Sequence, residues 1–115
     1  MNDLDRVIHE PARLLIVTIL SSVVEADFLY LLHATELTKG NLSTHLAKLE
    51  ESGYVLIVKG FRGKIPLTLI SLTKTGREAF QSYRKEMTAL LNVPVRSKPA
   101  VTRSLTDPRP STVVS

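Results

Sequence analysis

Three observations predict a mainly helical α+β fold for this chain. First, Leu42, Leu46 and Leu49 recur at helical spacing and define one buried stripe. At ~100° per residue, Asn41, Ser43, Thr44 and Lys48 then project away from that stripe, with His45 at its border. Second, this helix is followed by a short apolar strand, a glycine-bounded basic turn (Gly60, Phe61, Arg62, Gly63, Lys64) and a second strand. Third, Phe80, Tyr83, Met87 and Leu90 follow the 3-4-3 spacing of a coiled-coil seam. Together they predict a winged helix-turn-helix: three helices, a two-stranded wing and a C-terminal dimerisation helix.

Each element has a local reason. The first helix is expected from about Asp3 to Ser21, on Val7, Ile8, Leu14, Leu15, Ile19 and Leu20. Pro11 makes it either restart, with proline in a first turn, or kink. Its second half is apolar nearly all round, as in a helix buried centrally or in a subunit interface. A second helix is expected near Glu25 to His33, followed by a turn over Thr35 to Thr38. Thr38 is the expected N-cap of the third helix, about 38–52, and Gly53 its C′ residue. Strands are expected at about Tyr54–Lys59 and Lys64–Leu72, where Pro66 requires a sheet edge or a strand start. Thr73 or Thr75 opens the fourth helix, and Thr75 with Glu78 fits a capping box. Phe61 is read as a hydrophobic plug under the wing.

The chain has room for one domain, residues 1–92. Residues 93–115, basic and rich in Pro, Ser and Thr, are expected to be a disordered tail. Apolar residues make up 43% and charged residues 23%, as in a soluble globule, and cysteine is absent, which excludes disulfides and thiolate metal sites. The longest apolar stretch, Leu14 to Val24, is shorter than the ~20 residues that span a bilayer. The acidic N-terminus is unlike a signal peptide, so no membrane partner and a cytoplasmic location are expected.

Net charge is +4, but its distribution is the stronger signal. Residues 1–38 carry a net −4, from Arg6 and Arg13 against Asp3, Asp5, Glu10, Glu25, Asp27 and Glu36. Residues 39–64 carry +3, from Lys39, Lys48, Lys59, Arg62 and Lys64 against Glu50 and Glu51. Positive charge gathered on one helix and its hairpin is the footprint of phosphate contact. Its modest size means that tight binding to double-stranded DNA calls for two copies. The small hydrogen-bonding groups of the third helix suit base edges in a major groove, and the basic turn suits backbone or minor groove.

Enzyme and metal chemistry find little support. His9-Glu10 opens like a zinc-protease motif, but Arg13 stands where the second histidine would be. His9, His33 and His45 lie far apart without ligand spacing. Ser43 and His45, two residues apart on a helix, point in different directions and cannot act as nucleophile and base. No glycine-rich phosphate loop precedes a helix, and the reading is of a non-enzyme with no cofactor.

The order helix, helix, helix, hairpin, helix resembles the winged-helix transcriptional regulators called ArsR-like and MarR-like. IHEPARLLIVTIL looks like their opening helix, LTKGNLSTHLAKLEESGYV like their recognition helix, and GKIPLTLISLTKTGREAF like a second wing strand running into the final helix. The resemblance covers about residues 4–90 and implies a homodimer that binds operator DNA, usually as a repressor. By position it implies base reading by Asn41, Ser43, Thr44 and His45. Phosphate contacts would come from Lys39 and Lys48, with Thr38 at the helix start and Arg62 and Lys64 at the wing tip. The expected dimer interface comprises Leu4, Ile8, Phe80, Tyr83, Met87, Leu90 and Leu91. Two departures stand out: Ile65 and Leu67 replace basic residues common in related wings, and the Cys/His clusters of metal-sensing relatives are missing. Two alternatives stay open, a protein-interaction module on the same fold and a sequence-tolerant architectural DNA binder.

Overall fold

A computed structural model describes residues 4–92; the expected tail lies outside the described residues. The elements run α1 (Pro11–Ser21), β1 (Ala26–Asp27), α2 (Phe28–Thr35), α3 (Lys39–Glu51), β2 (Val55–Arg62), β3 (Ile65–Leu72) and α4 (Lys74–Leu91). The strands form one antiparallel sheet in the order β1-β3-β2. The described residues form a winged-helix fold of four helices, with a sheet one strand wider than the expected wing.

The first helix starts at Pro11, not near Asp3. Proline lacks the N–H that a first turn would leave unpaired, and the Glu10 carboxylate caps the turn by accepting from Arg13 N at 2.9 Å. The residues before it form a separate turn. Asp5 Oδ1 accepts the N–H groups of Val7 (2.9 Å) and Ile8 (3.1 Å), while its Oδ2 accepts the Tyr54 hydroxyl. Arg13 Nε donates to Val7 O at 2.6 Å. These bonds fold the segment back so that Ile8 is completely buried.

The second helix begins three residues later than expected, because Ala26 and Asp27 pair with Ile70 and Leu69 as β1. Asp27 then caps α2, accepting from Tyr30 N at 2.7 Å. A two-residue strand has no periodicity to read, so nothing in the sequence marked it. Glu36, in the left-handed region at φ 59°, ends α2 by donating to Leu32 O at 3.0 Å.

Both ends of α3 follow the sequence. Thr38 accepts from Asn41 N at 3.1 Å, and Leu42, Leu46 and Leu49 are buried. At the C-terminus Gly53 sits at φ +81°, with Gly53 N bonded to Glu50 O and Tyr54 N to Leu49 O, both at 2.9 Å. That is the paired closure of a Schellman motif, and glycine supplies the positive φ without a Cβ penalty.

The hairpin is longer and tighter than expected. Register runs from Val55↔Leu72 to Arg62↔Ile65, so Gly60, Phe61 and Arg62 are strand residues and only Gly63-Lys64 turn. Gly63, at φ +64°, takes the first position of this two-residue loop, where the twist of a hairpin demands it. β1 reaches only Leu69 and Ile70. Pro66 therefore lies where β3 has a free edge, as its missing N–H requires.

Thr73, rather than Thr75, caps α4, accepting from Gly76 N at 2.9 Å. The same threonine fastens α4 to the α3–β2 junction: Thr73 N donates to Tyr54 O at 3.0 Å and Thr73 Oγ1 to Gly53 O at 2.6 Å. Arg77 Nη2 reaches Val23 O at 3.2 Å, just past the C-terminal end of α1. Ile8, Ile16, Val17, Leu20, Leu31, Leu42, Leu49 and Ile70 make the fully buried centre, joined by Phe80 and Tyr83 from α4.

Burial, then the bond to Asp5, pushes the Tyr54 phenol up to about 12. An unfolded tyrosine ionises near ~10, so the folded state holds the proton more tightly. Stability is therefore unaffected below about pH 10 and falls as pH rises from about 10 to 12. Urea midpoints measured from pH 8 to 12 are expected to show this decline in the native chain and a shallower one in Tyr54→Phe. Parallel profiles would contradict it.

Candidate nucleic-acid interface

With its three leucines turned inward, α3 presents Asn41, Ser43, Thr44, Ala47 and Lys48 to solvent. Thr44 Oγ1 donates to Gly40 O at 2.9 Å, which fixes the hydroxyl and leaves its lone pairs free to accept. Lys48 Nζ lies 3.9 Å from Glu51 Oε1 with both side chains well exposed. Such a surface pair is worth little and yields readily to a phosphate. Thr38 and Lys39 are exposed at the helix N-terminus, where the Thr38 oxygen is already taken by its capping bond.

His45 stands apart from that face. Its side chain is turned to α1, with Nδ1 3.2 Å from Arg13 Nη1 and 3.8 Å from Glu10 Oε1. The Glu10 carboxyl is held below its usual range by the N–H of Arg13, helped by the nearby His45. The geometry makes His45 a joint between α3 and α1, whereas the sequence had placed it at the edge of the reading face.

The wing supplies cations beside the helix. Arg62 and Lys64 are exposed, and neither has an ion-pair partner among the described residues. Lys59, counted in the charge but not among the expected contacts, belongs with them. Strand alternation puts Val55, Ile57 and Lys59 on the side of β2 facing α3. There Ile57, Lys59 and Thr68 line a cleft of about 690 Å³ together with Ser43, Ala47 and Glu50 of α3. The two-residue period of β2 was the signal that could have found Lys59.

The expected dimer seam divides. Ile8, Phe80 and Tyr83 are buried inside the chain, and the Tyr83 hydroxyl lies 2.7 Å from His9 Nδ1. The first two turns of the α4 stripe thus serve the protomer's own core, because the turn before α1 covers them. Leu4 and Met87 pack partly against that core, while Leu90 (45% exposed) and Leu91 (76%) stay open near the end of α4, as does Leu15 on α1. No helix among the described residues is long and apolar enough to cross a membrane.

A helix-hairpin surface of this shape and charge defines a class of DNA-binding protein, and comparison with known proteins agrees. Residues 12–91 match the family described as winged helix DNA-binding domain. The chain belongs to that family and is a winged-helix DNA-binding transcriptional regulator. An uncharacterised protein of Methanocaldococcus jannaschii is 36% identical over 86 residues, covering 74% of this chain and 92% of its own length. A transcriptional regulator homologue from Pyrococcus horikoshii OT3 superposes with a TM-score of 0.73 at 27% identity, over 76% of this chain and 87% of that one. A PadR family transcriptional regulator from Eggerthella lenta DSM 2243 shares the fold, with a TM-score of 0.59 at 17% identity over 74% and 82% of the two chains.

Proposed function

We propose that the protein is a homodimeric, sequence-specific repressor of transcription acting in the cytoplasm. In this reading α3 enters the major groove of operator DNA and the wing contacts backbone or minor groove. The observation that carries it is one continuous surface. It joins the outward groups of α3 (Asn41, Ser43, Thr44, Lys48) to Lys59 across the cleft, and the exposed Arg62 and Lys64 follow at the tip of the same hairpin; none of these three wing cations has an ion-pair partner among the described residues. Lys39 and Thr38 extend it at the helix start. Exposed Leu90 and Leu91, with the partly buried Leu4 and Met87, give a second subunit its contact. Two-fold symmetry then calls for a palindromic site with half-sites ~10 bp apart, or a multiple of that.

Selection of bound duplexes from a random pool tests the reading, because it reports affinity, symmetry and base preference together. Lys48→Ala or Arg62→Ala is expected to weaken binding to every sequence and to reduce the salt slope by ~1 unit each. Asn41→Ala or Thr44→Ala is expected to change sequence preference, at a cost of about 1–3 kcal/mol for the base pair read. Equal losses on all duplexes for all four variants would refute this division of labour. Failure of any duplex to shift at low salt would leave the fold to a protein-interaction role.

A further inference from the structure

The wing ends in apolar side chains that no other segment of the described chain covers. Phe61, expected as a plug beneath the hairpin, is instead 73% exposed, and Ile65 is 68% exposed. The hairpin explains this by its length. Ile57↔Ile70 is the last pair with a fully buried member, and five further residues lead to Arg62↔Ile65. At ~3.3 Å per residue that is an arm of ~17 Å beyond the core.

Strand alternation decides which way the tip faces. Val55, Ile57, Lys59 and Phe61 share one side of β2, and the register sets Leu72, Ile70, Thr68 and Pro66 beside them. Ile57, Lys59 and Thr68 line the cleft against Ser43 of α3. Phe61 and Pro66 therefore prolong the α3-facing side of the wing past the end of the cleft, on the side from which a duplex seated on α3 would approach. Arg62, on the reverse face, and Lys64, in the turn, flank the apolar pair. An apolar tip between cations has no packing role in the protomer. It matches the chemistry by which minor-groove binders pry apart adjacent base pairs: a wedge of Phe or Pro enters the step, and cations hold the phosphates either side.

We infer that Phe61 and Pro66 form a wedge that enters the minor groove beside the α3 site, unstacks one base step and bends the duplex. The inference rests on the DNA-binding reading above and deepens it. The wing reads deformability, favouring an easily opened pyrimidine–purine step at the position it meets, without any hydrogen bond to a base.

The test uses the full chain and its selected duplex, with a fluorophore at each end and 2-aminopurine at the step under the wing. Binding of the native protein is expected to shorten the end-to-end distance, as for a bend of ~20–90°, and to raise 2-aminopurine emission. Phe61→Ala is expected to abolish most of both signals while leaving the salt slope and the thermal unfolding midpoint unchanged, and Phe61→Leu to restore a fraction of them. Exchanging the flexible step for a stiff A-tract should weaken the native protein several-fold more than Phe61→Ala. A native complex with straight, stacked DNA, or a variant that bends as much, overturns the wedge while the regulator reading stands. So does a variant that only loses self-association of the DNA-free protein. Absence of binding to any duplex overturns both.

Discussion

Gly76→Ala is expected to destabilise the protein by about 3 kcal/mol, near the top of the range for overpacking a tight site. A Cβ at this position would stand 2.1 Å from Tyr54 O and 2.9 Å from its carbonyl carbon, well inside van der Waals contact. Both are backbone atoms, and the same oxygen already accepts Thr73 N at 3.0 Å, so no side chain can rotate aside. The first turn of α4 would have to lift off the α3–β2 junction and break that bond. For a domain of this size the melting temperature should fall by more than about 10 °C. Gly40→Ala on α3 is the control, since its Cβ would meet nothing within 4 Å and alanine suits a helix better than glycine. Thermal and urea unfolding followed by circular dichroism compares the two. Gly76→Ala melting within a degree or two of the native chain would show that the junction yields.

The second large effect concerns assembly. Replacing Leu90 and Leu91 together by Asp is expected to give a monomer whose affinity for a two-half-site duplex falls by about 10²–10⁴-fold. Joined reading heads make the second engagement intramolecular, and that advantage is lost when the subunits separate. Both leucines are exposed near the end of α4 and contribute little to the protomer core, so each monomer should stay folded and keep its weak affinity for a single half-site. Sedimentation and band-shift titrations on one-site and two-site duplexes check this. A native chain that sediments as a monomer, or a charged variant that still dimerises, would remove the α4 end from the interface.

Much of the fold was legible because local signals agreed with the tertiary structure. The leucine stripe, Thr38 and Gly53 delimit α3 within a residue, since cap and period act through neighbouring atoms. What escaped depends on distant partners. Asp5 bonds locally to Val7 and Ile8, but the carboxylate oxygen that fastens this turn to the domain is held by Tyr54, 49 residues away, and the two residues of β1 have no signal beyond their pairing with β3. The site divides along the same line. Asn41, Ser43, Thr44 and Lys48 follow from helical period alone. His45 sits at the stripe's border, where period does not decide, and Arg13 and Glu10 decide it. Phe80 and Tyr83 show the limit of a heptad: spacing marks an apolar stripe but not which surface will cover it.

The knot around Tyr54 ties the end of α3, the beginning of β2 and the first turn of α4 through Leu49, Thr73 and Gly76 within a few ångströms. A hinge at this junction would have to break these bonds. In the proposed dimer, then, helix and wing swing as one block whenever the two α4 rods change their crossing angle. Operator spacing would accordingly be adjusted by residues near Leu90, far along the lever, rather than by any residue that touches a base.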